Sequence, residues 1–270
     1  MLRPLVFLLA ILLHTGVALP EEPDPIKTGR DALNDQRFTE AAKNFQAAYT
    51  NGDPEGLFYL GRMQELGLGT QADSARAVII YQNAAREGSV RSANRLGLLH
   101  LDGNGVLQDF EAARRLICDA ATKGLDSAQF NCGVLMAQGR GGESDLAGAV
   151  SYYAQAAEQQ HIGAMNLYGL ALLRGNGIDA DPAAARRWLE KTAAQGNTIG
   201  LFTLGEIYEK GLGTEIDLQQ AHVYYNLASA RGNQQARLAR QRIEQNLTPS
   251  EIEDAQALAR EWAPVQSSPE

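Results

Sequence analysis

The sequence is poor in the residues that carry most catalytic and metal chemistry. It has four histidines, two cysteines, two tryptophans and nine prolines in 270 residues. Two cysteines with scattered histidines do not make a four-cysteine or two-cysteine, two-histidine zinc site. No histidines stand paired at ligand spacing, and neither a nucleophile elbow nor a phosphate-cradling loop occurs. No basic run is present, and a net charge of −8 with a pI near 5.1 speaks against a nucleic-acid partner. No metal, no cofactor and no catalytic set is therefore expected. Hydrophobic residues at 44% and charged residues at 21% still suit a folded protein and exclude wholesale disorder.

Long apolar runs are also missing, apart from one near the N-terminus. Arg3 precedes an apolar run over residues 5–13, and Gly16 and Ala18 supply the small residues that precede a cleavage point. This pattern reads as a secretory signal peptide cut after Ala18; an uncleaved N-terminal anchor is the alternative. The run is short for a bilayer span, and no cysteine near the cut would carry a lipid. The expected location is periplasmic or secreted, with no membrane span after cleavage.

What the sequence has in excess is glycine, at 27 residues. Glycine recurs at Gly61, Gly97, Gly133, Gly169 and Gly205, each step being 36 residues. Two further series start at Gly67 and Gly69 and keep the same step. A fourth runs Gly88, Gly124, Gly196, Gly232 and misses only at Gln160. These four positions hold 19 of the 27 glycines, so the excess is the repeat itself. Aspartate follows at Asp73, Asp109, Asp145, Asp181 and Asp217, and alanine at Ala77, Ala113, Ala149, Ala185 and Ala221.

Each copy reads as two helices. Apolar residues fall at helical spacing over residues 128–138. The paired glycines that follow stop helix A, because glycine takes the left-handed conformation a helix end needs. The aspartate is the expected N-cap of helix B, with Pro182 in the first helical position after Asp181. A mid-helix glycine disfavours an isolated helix by about 1 kcal/mol. Its recurrence implies that a neighbouring helix comes too close for a side chain, and Tyr81, Ile117, Tyr153, Leu189 and Tyr225 are the expected core residues. His100 shares a position with Tyr208 and reads as a packed or hydrogen-bonded histidine. His161 falls in the turn after the third helix B, and His222 reads as a surface residue.

The pattern small-x-x-x-Leu-Gly-x-x-Tyr-x-x-Gly-x-Gly, then Asp, then Ala-x-x-Trp/Tyr-Tyr-x-x-Ala-Ala-x-x-Gly resembles the Sel-one-like repeat (SLR) of the tetratricopeptide-like superfamily. The best copy runs from Gly200 through Tyr208, Gly211 and Gly213 to Ala221, Tyr224, Tyr225 and Gly232. The resemblance implies an all-α fold: a right-handed α-solenoid of antiparallel helix pairs whose A helices line a concave face. The expected organisation is a signal peptide (1–18), a disordered segment (19–25), a tetratricopeptide-like cap (26–52), five SLR repeats (53–235), capping helices (236–262) and a disordered tail (263–270). In the cap, Ala41, Phe45, Ala48 and Gly52 fall 36 residues before Ala77, Tyr81, Ala84 and Gly88.

The resemblance also implies an interaction scaffold rather than an enzyme. A protein or peptide partner would lie in the concave groove. Two alternatives stay open: a β-lactam-binding or slowly hydrolysing enzyme, as in the cysteine-rich SLR branch, and a structural component of envelope or exopolysaccharide assembly. The expected groove residues are Phe58, Asn94, Phe130, Asn166 and Phe202, three before the repeated glycine, with Tyr59, Arg95 and Asn131 next to them and Arg62 and Glu206 just after it. Asparagine both donates to and accepts from a peptide backbone, and aromatics offer stiff contact area; the alternative is that the phenylalanines pack against neighbouring helices. In the cysteine-rich branch paired cysteines flank the turn between helix B and the next helix A, which implies a disulfide between Cys118 and Cys132. Cys132 also sits at the leucine position of Leu60, Leu96 and Leu204, which a buried free thiol suits equally.

Overall fold

The computed structural model describes residues 24–265, and among the described residues every regular element is a helix. Helices α1 (Pro25–Asn34) and α2 (Phe38–Thr50) form an N-terminal pair. Five pairs follow: α3 (Glu55–Leu66) with α4 (Ser74–Arg86), α5 (Val90–Asp102) with α6 (Phe110–Thr122), α7 (Asp126–Gln138) with α8 (Leu146–Glu158), α9 (Ile162–Arg174) with α10 (Pro182–Ala194), and α11 (Thr198–Lys210) with α12 (Leu218–Ala230). Helix α13 (Gln234–Ile243), a 3-10 turn (Glu244–Asn246) and α14 (Pro249–Glu261) close the chain. From α1 to α13 each helix packs on the next in sequence, as a right-handed α-solenoid requires. The proposed signal peptide, residues 1–18, lies outside the described residues.

The A-to-B turn is built from three repeated residues with separate tasks. The first glycine (67, 103, 139, 175, 211) caps helix A in the left-handed conformation, with φ between 64° and 71°. The aspartate caps helix B: its carboxylate accepts from the backbone N–H three residues on, at 2.8–2.9 Å in all five copies. The second glycine serves the next level of organisation. A Cβ at Gly105 would stand 2.5 Å from the Ser74 carbonyl carbon, and one at Gly141 would stand 2.0 Å from the Phe110 oxygen. Each such turn therefore rests directly on the first turn of the preceding helix B.

Small residues bring the helices together on both sides of helix A. A Cβ at Gly61, Gly133 or Gly205 would lie 2.4–2.6 Å from the ring of Tyr81, Tyr153 or Tyr225 in the partner helix B. Toward the preceding repeat, Gly56, Ser92, Ala128, Ala164 and Gly200 are buried at the start of helix A. A Cβ at Gly56 would meet the Phe45 oxygen at 2.3 Å. The repeated alanines of helix B, from Ala77 to Ala221, are at most 1% exposed. Cys118 of α6 and Cys132 of α7 are disulfide-bonded, their Cα atoms 5.0 Å apart across the junction of repeats two and three. Buried Ala121 and Ala128 permit that approach.

The ends differ from expectation in three places. Asp24, placed in a disordered segment by the sequence, caps α1 by accepting from the Ile26 N–H at 2.9 Å, and Pro25 opens the helix. Residues 263–265 also hold a fixed path: the Val265 N–H donates to the Ala194 oxygen at 2.8 Å, and the Arg231 guanidinium lies over the Trp262 ring at 4.6 Å. His222, read as a surface residue, is fully buried, with Nε2 2.9 Å from Glu244 Oε1. It occupies the repeat position of buried Val78 and Val150, and α14 packs on α12 where an internal repeat would have another neighbour.

Candidate functional site

Successive A helices touch one another directly, α3 with α5 and α11 with α13. Side chains also link them, with the Asn131 amide donating to Asn94 Oδ1 at 3.3 Å between α7 and α5. Two of the cavities on the face they share are lined by charged side chains. The first, about 370 Å³, is lined by Phe58, Arg62, Arg91, Asn94, Arg95 and the start of α7. It brings four of the sequence-predicted residues to one place. Tyr59 stands beside it, its hydroxyl accepting from Arg91 at 2.8 Å and its ring stacked on Phe45.

Glu65 is the electrostatic centre of this region. Its side chain is 5% exposed. It accepts from the Tyr81 hydroxyl at 2.8 Å, from Arg62 at 3.0 Å and from Arg95 through both oxygens. Burial alone would raise its pKa; the hydrogen bonds from Arg95 and Tyr81 outweigh that and hold it below the ordinary carboxylate value. The same contact pushes the Tyr81 hydroxyl well up, with burial the larger cause. Arg62 and Arg95 keep part of their surface exposed, so this is a clasp with cationic edges facing the cavity.

The second cavity, about 480 Å³, is lined by Phe202, Glu206, Tyr225, Leu238 and Arg242, and repeats this chemistry. Tyr225 donates to Glu209 at 2.5 Å, and Arg242 of α13 grips both oxygens of that glutamate at 2.7 and 2.8 Å. Glu206 pairs with Lys210 at 2.9 Å.

The remaining predicted residues separate. Asn131 is half-buried on α7, against the buried Asn94 of α5. Phe130 packs between Tyr153 and the His161 ring, whose centroid is 4.6 Å away. Asn166 is corrected: at 2% exposure it accepts from Thr192 at 2.9 Å and donates to Asn197 at 3.0 Å, so its amide is spent inside the protein. His161 is the N-cap of α9, its Nδ1 accepting from the Ala164 N–H at 3.2 Å. Asp53, Ser89, Asn197 and Asn233 hold the corresponding place before other A helices. His100 is half-buried, with Nδ1 3.2 Å from the Leu107 oxygen.

Stacked helix pairs with left-handed glycine stops define a helical-repeat solenoid. The chain belongs to the Sel1 repeat family, whose profile matches residues 54–89, 90–125, 126–161, 162–197 and 199–233. It is similar to a protective antigen of uropathogenic Escherichia coli strains that displays an SLR fold, with 28% identity and a TM-score of 0.74. That match covers 88% of this chain but 53% of the antigen, about half its length. A Sel1 repeat protein from Oxalobacter formigenes shares the fold at 23% identity and a TM-score of 0.73, over 92% of this chain and all of the other. No curated protein matches the chain. Among the described residues no helix is long and apolar enough to cross a membrane.

Proposed function

We propose that the protein is an exported scaffold that holds a peptide or protein partner against the concave face formed by its A helices. The observation that carries this reading is the cavity bounded by Phe58, Arg62, Asn94 and Arg95. It combines a half-buried aromatic ring, two arginines anchored by a buried glutamate, and an amide. These are the elements of an interface hot spot, with the arginine forks held in place before a partner arrives. Export is supported by the pattern of residues 1–18 and by a disulfide, which persists in oxidising compartments.

The test is capture with the chain starting at Leu19 as bait, followed by identification of the cross-linked partner segment. Phe58→Ala combined with Arg62→Ala should abolish capture. Arg115→Ala, on an exposed position of α6, should leave it intact. Equal capture by both variants, each shown folded by circular dichroism, refutes the reading.

A further inference from the structure

The five repeats carry a paired variation that the frame does not require. The position of Tyr81 reads Tyr, Ile, Tyr, Leu, Tyr along the array, and that of Glu65 reads Glu, Leu, Ala, Leu, Glu. In repeats one and five the tyrosine hydroxyl meets a glutamate from its own helix A, and an arginine clasps that glutamate. In repeats two and four both positions are apolar. The third repeat alone keeps the tyrosine and lacks the acid: Tyr153 faces Ala137.

What occupies the place of the missing carboxylate is a cavity of about 190 Å³. Tyr153 and Ala137 both line it, with Leu146, Val150, Leu167 and Leu170 supplying an apolar wall. Tyr153 is 7% exposed, and its hydroxyl has no hydrogen-bond partner among the described residues. Its counterparts Tyr81 and Tyr225 both have one. Arg174, on the last turn of α9, lines the same cavity and likewise has no acidic partner among the described residues. A hydroxyl that no protein group accepts from, at the mouth of an apolar hollow, and the exposed Arg174 guanidinium beside it are complementary to an apolar group that carries a carboxylate.

We infer that the cavity between α7, α8 and α9 is a binding site for the C-terminal residue of a peptide chain. The apolar side chain of that residue fills the hollow, and its terminal carboxylate takes the place that Glu65 and Glu209 hold in the outer repeats, receiving Tyr153 and Arg174. The inference rests on the scaffold reading above and names the end of the partner that this face takes.

The test uses acetyl-Ala-Ala-Leu with a free C-terminal carboxylate, titrated into the disulfide-intact chain and followed by amide and methyl NMR shifts. Shifts should concentrate on Ala149, Val150 and Ala171. The C-terminal amide of the same peptide should bind on the order of 10-fold more weakly, since it loses a charged hydrogen bond. Arg174→Gln should weaken the free acid similarly. Ala137→Glu should supply the missing carboxylate internally and abolish binding while the fold persists, as it does around Glu65. Equal binding of acid and amide, or unchanged binding to the Ala137→Glu variant, overturns the inference. So does preferential binding of acetyl-Ala-Ala-Glu-amide, which would make a side-chain carboxylate the ligand, and so does an absence of shifts. If partner capture still depends on Phe58 and Arg62 in those cases, the scaffold reading stands and only this site is lost.

Discussion

Five helices, α2, α4, α6, α10 and α12, are each followed by a glycine with positive φ, at Gly52, Gly88, Gly124, Gly196 and Gly232. At α8 the same conformation is held by Gln160, with φ of 66°. The fold imposes the left-handed turn there whatever the residue. A Cβ placed on Gly52, Gly88, Gly124 or Gly232 would meet nothing within 4 Å, so substitution there isolates the backbone term. The left-handed region disfavours an L-residue by about 1–2 kcal/mol. Replacing glycine recovers about 0.4–1 kcal/mol by restricting the unfolded chain. The net effect is about 1 kcal/mol. Gln160→Gly should therefore stabilise by about 1 kcal/mol, Gly124→Ala should destabilise by about as much, and Gln160→Ala should be nearly neutral. In a chain of this size 1 kcal/mol moves Tm by about 2–4 °C. Denaturant midpoints at constant m give the free energies. Loss of stability in Gln160→Gly, or a neutral Gly124→Ala, would refute the reasoning.

Four further outcomes follow from the same structure. Gly61→Ala should lower stability by about 1–3 kcal/mol, because its Cβ would fall 2.5 Å from a Tyr81 ring that is held at its hydroxyl by Glu65; an unchanged denaturation midpoint would contradict this. Glu65, with its pKa lowered in the fold, contributes stability that is fully present above its unfolded value of about 4.3 and is lost as pH falls through the lower folded value; the stability gap between wild type and Glu65→Gln should thus shrink on acidification, and a gap that widens in acid refutes it. Reducing the Cys118–Cys132 bridge, 14 positions apart, should remove about 3 kcal/mol in loop-closure terms, and thiol titration of the unfolded, unreduced chain should find no free thiol. Mass spectrometry of the exported protein should find a chain that begins at Leu19, whereas a cytoplasmic product with Met1 intact would exclude export.

The frame was legible because each of its requirements admits few residue types. A left-handed helix stop selects glycine, a B-helix cap selects aspartate, and a close helix crossing selects glycine or alanine, so each leaves a column at the 36-residue step. Requirements met by several residue types left no such column. The A-helix caps are Ser89, His161, Asn197 and Asn233, with Asp53 accepting from the Glu55 N–H just ahead of Pro54 and Leu125 offering no side-chain cap at all. In the N-terminal pair the glycine against Phe45 is Gly29, 32 rather than 36 residues before Gly61. The turn from α1 to α2 has lost the glycine loop and four residues with it, so the column breaks although the contact survives. The burial of Asn166 depends on Thr192 and Asn197 of the next turn, partners that no single-copy pattern displays.

The same division explains where a partner can be read. Frame positions are saturated: the helix-A glycines, the aspartate caps of helix B and its alanines have no freedom to vary without disturbing a helix crossing or a helix end. Variation is concentrated on the A helices, where Phe58, Asn94 and Phe130 occupy one repeat position with different chemistry. The Tyr–Glu–Arg clasp gives the tyrosine hydroxyl an acceptor in both outer repeats, and Ala137 leaves Tyr153 without one in the middle. The disulfide ties α6 to α7, whose first turn borders the arginine-lined cavity and whose Ala137 borders the hollow over Tyr153. Under the proposed function, a bridge between α6 and α7 would restrain α7, the helix both cavities share, so that less of a partner's binding free energy would go into ordering the scaffold.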